Sequence, residues 1–372
     1  MFAKAQTVIS LIEKIAPKRL AEDWDNVGLQ IGDPRSEIRK VLVALDITPE
    51  VVEEAITADA DMIVSHHPFF FDPVRSIRFD QSFGDMVYKL VKNGITVYSA
   101  HTNLDITPGG VNDILVKKLG LLEVEPLQVT LKEVYKKIVV FVPEGYEDIV
   151  REAMCKAGAG WIGNYSHCSF VTQGTGSFKP LEGANPFIGD VGKLETVREY
   201  RLETIVEDSL VKKVVSAMIK AHPYEEVAYD IYPLANEPKI YGLGRIGRLN
   251  KTMSLKELAL SIKQLLKNEM VRVVGQLDQQ VEKVAICGGS GMSTLHQAAF
   301  KGADVLITGD VKYHQAIDAK RMGVSIVDAG HWETEIPVVS FVVTYLKNEL
   351  SKMKYDTDVV LSNVNNQPFA FL

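Results

Sequence analysis

The strongest chemical signal in this sequence is a pair of adjacent histidines at the end of an apolar segment. Residues 60–65 form a short strand-like segment, and His66, His67 and Pro68 follow it directly. Neighbouring side chains on a strand point to opposite faces, so two imidazoles can reach one point only where the strand has ended. Pro68 favours a turn there, because proline fixes φ and lacks an N–H. The pair is consistent with a metal site, although histidine is also a common surface or capping residue.

Further polar side chains follow other predicted strands, where open α/β sheets bind their ligands. They lie just past the strands predicted at 95–99, 304–308 and 324–328, and they are His101, Asp105, Asp310, His314, His331 and Glu335. The chain contains eight histidines, so their concentration at predicted strand ends is selective.

His331 and Glu335 are four residues apart, and they share one face if a helix begins near His331. The alternative is that Glu333 and Glu335 only complement the positive end of the helix. Imidazoles with carboxylates suit zinc, iron or manganese. Together with His66, His67 and Asp105, this pair makes three histidines and two carboxylates, which exceed the usual four zinc ligands. Two ions that share a carboxylate account for the excess, and such a pair can activate a water for hydrolysis.

The elements that must position these residues alternate between strands and helices. Strands are predicted at 41–45, 61–65 and 95–99, with helices at 49–58, 84–93 and 110–119. This order predicts a parallel sheet covered by helices on both faces.

A similar series lies near the C-terminus. It has strands at 284–287, 304–308 and 324–328 and helices at 293–301, 311–321 and 335–350. We interpret the two series as a divergent internal duplication. The alternative is that buried parallel strands resemble one another in composition.

The middle of the chain has a different pattern, with strands at 135–142, 200–206 and 227–232 and helices at 147–157 and 209–221. Two βαβ-type units in this length predict a ferredoxin-like α+β domain. The predicted fold is therefore a duplicated α/β outer domain with an inserted α+β domain. The expected boundaries are 1–131 for the first half of the outer domain, 132–241 for the insert and 242–372 for the second half.

Composition narrows the function classes. The chain has 372 residues, 46% hydrophobic and 24% charged, which is typical of a globular protein of two or three domains. No segment resembles a membrane span or a signal peptide, and the three cysteines show no CxxC pair. We expect a cytoplasmic protein without a membrane partner. A net charge of −7 disfavours, without excluding, nucleic-acid binding.

Several motifs together resemble the Nif-three-like family, the GTP cyclohydrolase I type 2 homologs. They cover both outer segments, and they are residues 23–30, 64–68, 99–105, 309–310 and 328–335. The resemblance implies a dinuclear metal site, with zinc as the first choice and iron or manganese as alternatives. The ligands that it implies are His66, His67, Asp105, His331 and Glu335, with Glu335 as the bridge.

The resemblance also implies a toroidal homohexamer with metal sites facing an inner cavity. The implied activity is hydrolytic opening of the imidazole ring of GTP, a small-molecule nucleotide substrate. In this interpretation His314 moves protons, Asp310 orients His314 or the water, and His101 orients a ligand or contacts the substrate. The insert is similar to that of longer members, which resembles the CutA and PII trimeric signalling folds.

Other interpretations stay open at the level of sequence. The protein could be a metal-dependent phosphoester hydrolase, or a metal-responsive regulator or scaffold ring without activity. Gly288–Gly291 could accept a phosphate, or form only a tight turn. His222 and Glu225 in the insert could bind a ligand, or form a structural turn next to Pro223. Asp25 and Asn26 could close the site over a substrate.

Overall fold

The computed structural model describes residues 1–370, which divide into two compact units. The first unit contains Met1–Leu131 and the chain from Tyr241 onward, and the second unit contains Lys132–Ile240. Within the described residues, no helix combines the length and apolar character that a membrane span needs.

The strands of the described residues are β1 (Ala3–Lys4), β2 (Gly28–Ile31), β3 (Glu37–Ile38), β4 (Lys40–Ala44), β5 (Met62–Ser65), β6 (Thr96–Ser99), β7 (Leu122–Glu133), β8 (Tyr135–Pro143), β9 (Ser169–Phe178), β10 (Glu195–Glu207), β11 (Tyr229–Pro233), β12 (Lys239–Ser254), β13 (Arg272–Val274), β14 (Gln280–Ile286), β15 (Val305–Thr308), β16 (Ser325–Asp328) and β17 (Asp358–Leu361).

The α-helices are α1 (Ala5–Ile15), α2 (Pro49–Thr57), α3 (Ser82–Lys92), α4 (Thr102–Ile106), α5 (Val111–Leu119), α6 (Glu147–Lys156), α7 (Val211–Ala221), α8 (Leu255–Leu265), α9 (Leu295–Phe300), α10 (Tyr313–Met322) and α11 (His331–Lys352).

Two mixed sheets form the framework of the first unit. The five-stranded sheet has the order β17-β4-β5-β6-β2, and the six-stranded sheet has the order β13-β16-β15-β14-β12-β7. Parallel pairing joins β17, β4, β5 and β6 in one sheet and β14, β15 and β16 in the other. Because neighbouring parallel strands end at the same edge, the loops after β5 and β6 start side by side, as do those after β15 and β16.

Helices cover both faces of the five-stranded sheet, as a largely parallel sheet requires. Val41 and Val64 pack with α1 and α11 on one face, whereas Leu42 and Ile63 pack with α2 and α3 on the other. Fully burying such side chains contributes about 1.5–3 kcal/mol each. The strands that carry the loops are therefore held by buried contacts on both faces of the sheet.

Local signals explain where helices begin and end. Thr48 caps α2 by accepting a hydrogen bond from the Val51 amide, and Pro49 is the first helical residue. The last helix begins at His331 and contains Pro337. The sequence predicted this helix only from residue 335. The structure adds the turn that begins at His331.

The second unit is a four-stranded antiparallel sheet with the order β11-β8-β10-β9, packed against α6 and α7. Its core includes Ile138, Val140, Leu202 and Met218, all fully buried. The sequence did not predict β9, because this strand contains Gly174 and Gly176 and lacks clear alternation.

His222 has a structural role in the second unit, as the sequence allowed. Its Nε2 donates to the Phe141 carbonyl at 3.0 Å, and its Nδ1 accepts from the Tyr224 amide at 3.1 Å. The imidazole is 7% exposed, and burial lowers its pKa. A protonated Nδ1 could no longer accept the amide.

The second unit should therefore lose stability as the pH falls below about 6.5, the ordinary histidine value. Below this pH the unfolded chain binds a proton that the folded chain does not. The free energy of unfolding then falls by at most about 1.4 kcal/mol per pH unit. Hydrogen exchange of peptides from 132–240 between pH 7.5 and 5 measures this slope. His222→Gln should flatten it, and an equal slope in that variant would assign the effect to other groups.

Candidate metal centre

Five side chains from three segments converge in the first unit. His66 and His67 follow β5, Asp105 lies in α4, and His331 and Glu335 lie one turn apart at the start of α11. Glu335 is at the centre. Its Oε2 lies 3.0 Å from Nε2 of His67 and 3.0 Å from Nε2 of His331.

The other carboxylate oxygen of Glu335 faces His66. The distance from Glu335 Oε1 to His66 Nε2 is 3.8 Å, and Asp105 Oδ1 lies 3.7 Å from the same nitrogen. The five residues that the sequence singled out as ligands are thus brought together. The helical start at His331 places His331 and Glu335 on one face.

Hydrogen bonds on the far side of each ring determine which nitrogen faces the centre. His66 Nδ1 lies 2.9 Å from the Ala100 carbonyl, which can only accept. His66 therefore carries its proton on Nδ1 and presents a lone pair at Nε2. His67 Nδ1 lies 2.7 Å from Asp46 and His331 Nδ1 lies 2.6 Å from Asp310, which orients both rings in the same way.

When its imidazoles are neutral, the centre contains acceptors without donors. His66 Nε2, Asp105 Oδ1 and Glu335 Oε2 are then buried with no hydrogen-bond partner among the described residues. Nε2 of His67 and Nε2 of His331 lie 3.3 Å apart. Buried acceptors without a partner cost about 1–3 kcal/mol each. Divalent cations would satisfy these acceptors, and the mixed imidazole and carboxylate donors fit zinc, iron or manganese.

The pKa values of the imidazoles in the metal-free protein indicate which protons an ion would displace. Burial opposes protonation of His67, but Asp46 and Glu335 outweigh it and raise its pKa to about 10. The pKa of His331 is raised to about 9, because Glu335 and Asp310 likewise outweigh burial. Burial lowers the pKa of His66.

The pKa values of the two carboxylates, Asp105 and Glu335, are shifted in opposite directions. Burial and the charge of Glu335 raise the pKa of Asp105. Burial opposes ionisation of Glu335, yet the surrounding imidazoles, His331 foremost, hold its pKa well below the usual range. Ligands must be deprotonated to bind a metal, so ion binding here is coupled to proton release.

The ligand atoms form three overlapping groups, each within 4.8 Å. One contains His67, His331 and Glu335, and another contains His66, Asp105 and Glu335. The two groups share only Glu335, which offers a different oxygen to each. This arrangement is compatible with two neighbouring ions and a bridging carboxylate.

The third group joins His101 to His66 and His67. The His101 ring lies 5.3 Å from that of His66 and 5.4 Å from that of His67. Its Nδ1 lies 3.0 Å from Asp25, which also accepts from the Thr102 amide. Asp25, which the sequence suggested as a lid residue, instead orients His101.

His314 and Asp310 are placed differently from each other. His314 is exposed in the first turn of α10, where its ring contacts Tyr313, and no described contact joins it to the cluster. Asp310 contacts His331 and not His314. The expected proton-transfer pair of His314 and Asp310 is therefore not assembled in this structure.

The glycine-rich turn at 288–291 uses its three glycine amides within the protein. The amides of Gly288, Gly289 and Gly291 donate to the side chains of Asn112, Thr334 and Thr308. Gly289 has φ +61°, and a Cβ there would meet Glu335 Oε1 at 2.0 Å. The glycine is required by the close approach of Glu335, and the tight-turn alternative accounts for the motif.

A cavity of about 880 Å³ opens beside His67 and His331. Asp310, Trp332 and Arg272 also line it. The Arg272 side chain is 61% exposed and pairs with Asp328, which lines the same cavity, so an ion pair lies in the cavity wall next to the cluster.

Asp46 is the functional residue that the sequence did not assign. It was visible only as a polar residue after β4, and its contact with His67 depends on the loop geometry.

Replacing Asp46 or Asp310 by asparagine should lower metal affinity about 10–100-fold, because each orients one imidazole. Competition with a fluorescent chelator measures the change. Asp304→Asn is the control, since Asp304 accepts backbone amides at the far end of β15; an equal loss there would contradict the orienting role.

Known proteins are similar to this chain in sequence and structure over nearly its whole length. The family described as Duf34/NIF3 (NGG1p interacting factor 3) is matched over residues 3–368. A protein of Halalkalibacterium halodurans named GTP cyclohydrolase 1 type 2 homolog is 50% identical over 370 residues, covering 100% of this chain and 99% of that protein. A protein of Bacillus subtilis with the same name is 47% identical over 367 residues, covering 99% and 98%.

Solved structures agree with this. A Bacillus cereus protein described as related to NIF3 has a TM-score of 0.86 at 46% identity, with complete coverage of both chains. A Staphylococcus aureus protein has a TM-score of 0.79 at 32% identity, covering 100% of this chain and 99% of its own.

Proposed function

This chain belongs to the Duf34/NIF3 family, and on that premise we propose that it is a metal-dependent hydrolase with two divalent ions. One observation carries the proposal: Glu335 offers one oxygen to His67 and His331 and the other to His66. Together with Asp105, these residues would hold the ions. When bound, a pair of ions supplies Lewis acidity and an activated water for hydrolysis.

The chain's own residues prepare the site for this chemistry. Asp46 and Asp310 fix the orientation of two imidazoles, and the Ala100 carbonyl fixes a third. The neighbouring cavity of about 880 Å³ is large enough for a small molecule. Arg272 at its wall pairs with Asp328, and its remaining N–H donors would bind an anionic group of the substrate, because guanidinium binds phosphate through paired N–H donors.

The substrate that we propose is a nucleotide, and GTP is the first to test. The names of the relatives from H. halodurans and B. subtilis support this choice. The reaction is opening of the purine imidazole ring by one water to give a formamide, followed by hydrolysis of that formamide by a second water, which releases the ring carbon as formate. Phosphoester cleavage at the same site would release phosphate.

Product analysis separates these reactions. Protein loaded in turn with zinc, manganese and iron is incubated with GTP, and formate and phosphate are measured. Formate release that disappears in Asp105→Asn supports ring opening, whereas phosphate release assigns phosphoester hydrolysis. If metal-loaded protein hydrolyses neither GTP nor other nucleotides and phosphoesters, the enzyme proposal fails.

We extend the proposal to a cytoplasmic, toroidal homohexamer with a ferredoxin-like insert of the CutA or PII type. The order β8-α6-β9-β10-α7-β11 supports the insert, since ferredoxin-like domains have this βαββαβ order. Native mass spectrometry tests the assembly, and a monomer under native conditions would contradict it.

A further inference from the structure

The second unit contains a cavity of about 730 Å³ that none of the proposed metal chemistry uses. It lies over β9 and β10, and the segment 179–194 between these strands forms much of its wall. The segment is held in place by a hydrogen bond of 2.8 Å from the Asn185 amide to Glu225. Phe187 of the segment also packs on Tyr146, with 5.7 Å between ring centroids.

Glu199 is the unusual residue in this cavity. It is 9% exposed, yet no ion pair joins it to a lysine or arginine within residues 1–370. The cation on the same face of β10, Arg201, pairs with Glu203 at 3.2 Å. Burying an ionised carboxylate without a cation is costly, so a ligand that supplies a positive charge would relieve this cost.

The groups around Glu199 define the shape of the ligand. Aromatic rings of Phe178 and Phe187 lie 5.9 and 6.1 Å from the ring of Tyr224. Burial, the charge of Glu199 and a hydrogen bond from the Tyr224 hydroxyl to that carboxylate together raise the pKa of Tyr224, so the neighbour of Glu199 in the cavity is a neutral donor and not a cation. Flat, delocalised cations are favoured next to aromatic rings.

Gly176 on β9 makes room for the carboxylate. A Cβ at this position would lie 2.0 Å from Glu199 Oε2, and the backbone there has no positive φ. Alanine at 176 is therefore tolerated by the backbone but displaces the carboxylate.

We propose that this cavity binds a small organic cation of the amidinium or guanidinium class, with Glu199 accepting two N–H bonds and aromatic rings enclosing the planar group. The proposed site is independent of the metal centre.

Isothermal titration of the full chain with benzamidine tests the site, with benzamide as the neutral isostere. We expect saturable binding of benzamidine and much weaker binding of benzamide. Glu199→Gln should weaken benzamidine binding at least about tenfold, since a charge-assisted pair is lost. Gly176→Ala should also weaken it, whereas Asp148→Asn, a change to an exposed acid on α6 that pairs with Arg151 and lies outside the cavity, should not.

A thermal readout distinguishes binding from a structural role. Without ligand, Glu199→Gln should unfold at the same temperature as the parent or higher, because a buried charge without a cation has been removed. The proposal is overturned if benzamidine does not bind saturably, if benzamide binds as well, or if Glu199→Gln leaves binding unchanged. It is also overturned if Glu199→Gln dissociates the assembly, which would show that a side chain of a second copy fills the cavity.

Discussion

Replacing Glu335 by glutamine is expected to remove both metal ions from the protein. The parent, purified without chelator, should contain about two ions per chain, as a paired site requires. Elemental analysis of Glu335→Gln should find almost none. Glutamine keeps the shape of the side chain but lacks the charge that both ligand groups share through Oε1 and Oε2.

Variants that lose a ligand from only one of the two groups test whether Glu335 binds both ions. His331→Ala and Asp105→Asn each remove a ligand from only one of the two groups that share Glu335, so each should lose about one ion. Glu333→Gln is the matched control, because Glu333 is buried two residues away on the same helix and accepts from Gln367 at 2.6 Å instead. If Glu335→Gln retains one full ion, the bridging assignment is wrong.

Chelation of the metal is expected to lower the unfolding temperature of the first unit strongly. An ion present at a thousandfold its Kd stabilises the folded state by about 4 kcal/mol. For a unit of this size, that corresponds to roughly 8–16 °C in Tm. The physical reason is that the metal-free centre must either bury acceptors without partners, at His66, Asp105 and Glu335, or take up protons in place of the ions.

Differential scanning calorimetry of the full chain with and without chelator measures this effect. Glu335→Gln should show almost no difference between the two conditions, because it has no ions to lose. The unfolding of residues 132–240, followed by hydrogen exchange, should be unaffected, since all five ligands belong to the first unit. Equal unfolding temperatures for the loaded and chelated parent would contradict a structural contribution of the ions.

Sequence periodicity was sufficient for the buried parallel strands. The predicted strands at 41–45, 61–65 and 95–99 correspond to β4, β5 and β6, because buried β-branched runs bounded by turn residues have few alternatives. It was insufficient for β9 and β17. The first is rich in glycine, and the second is a four-residue strand whose place beside β4 follows from long-range pairing.

The sequence by itself indicated which side chains could bind a metal, since imidazole and carboxylate groups are recognisable by type and their position after parallel strands implies a common edge, and the family resemblance narrowed this set to five ligands. Only the tertiary structure decided how they act together. It placed Asp46 and Asp310 behind two imidazoles, used the Ala100 carbonyl to set the tautomer of His66, and left His314 exposed. Those outcomes depend on loop conformations and contacts between residues far apart in the chain, which no local pattern encodes.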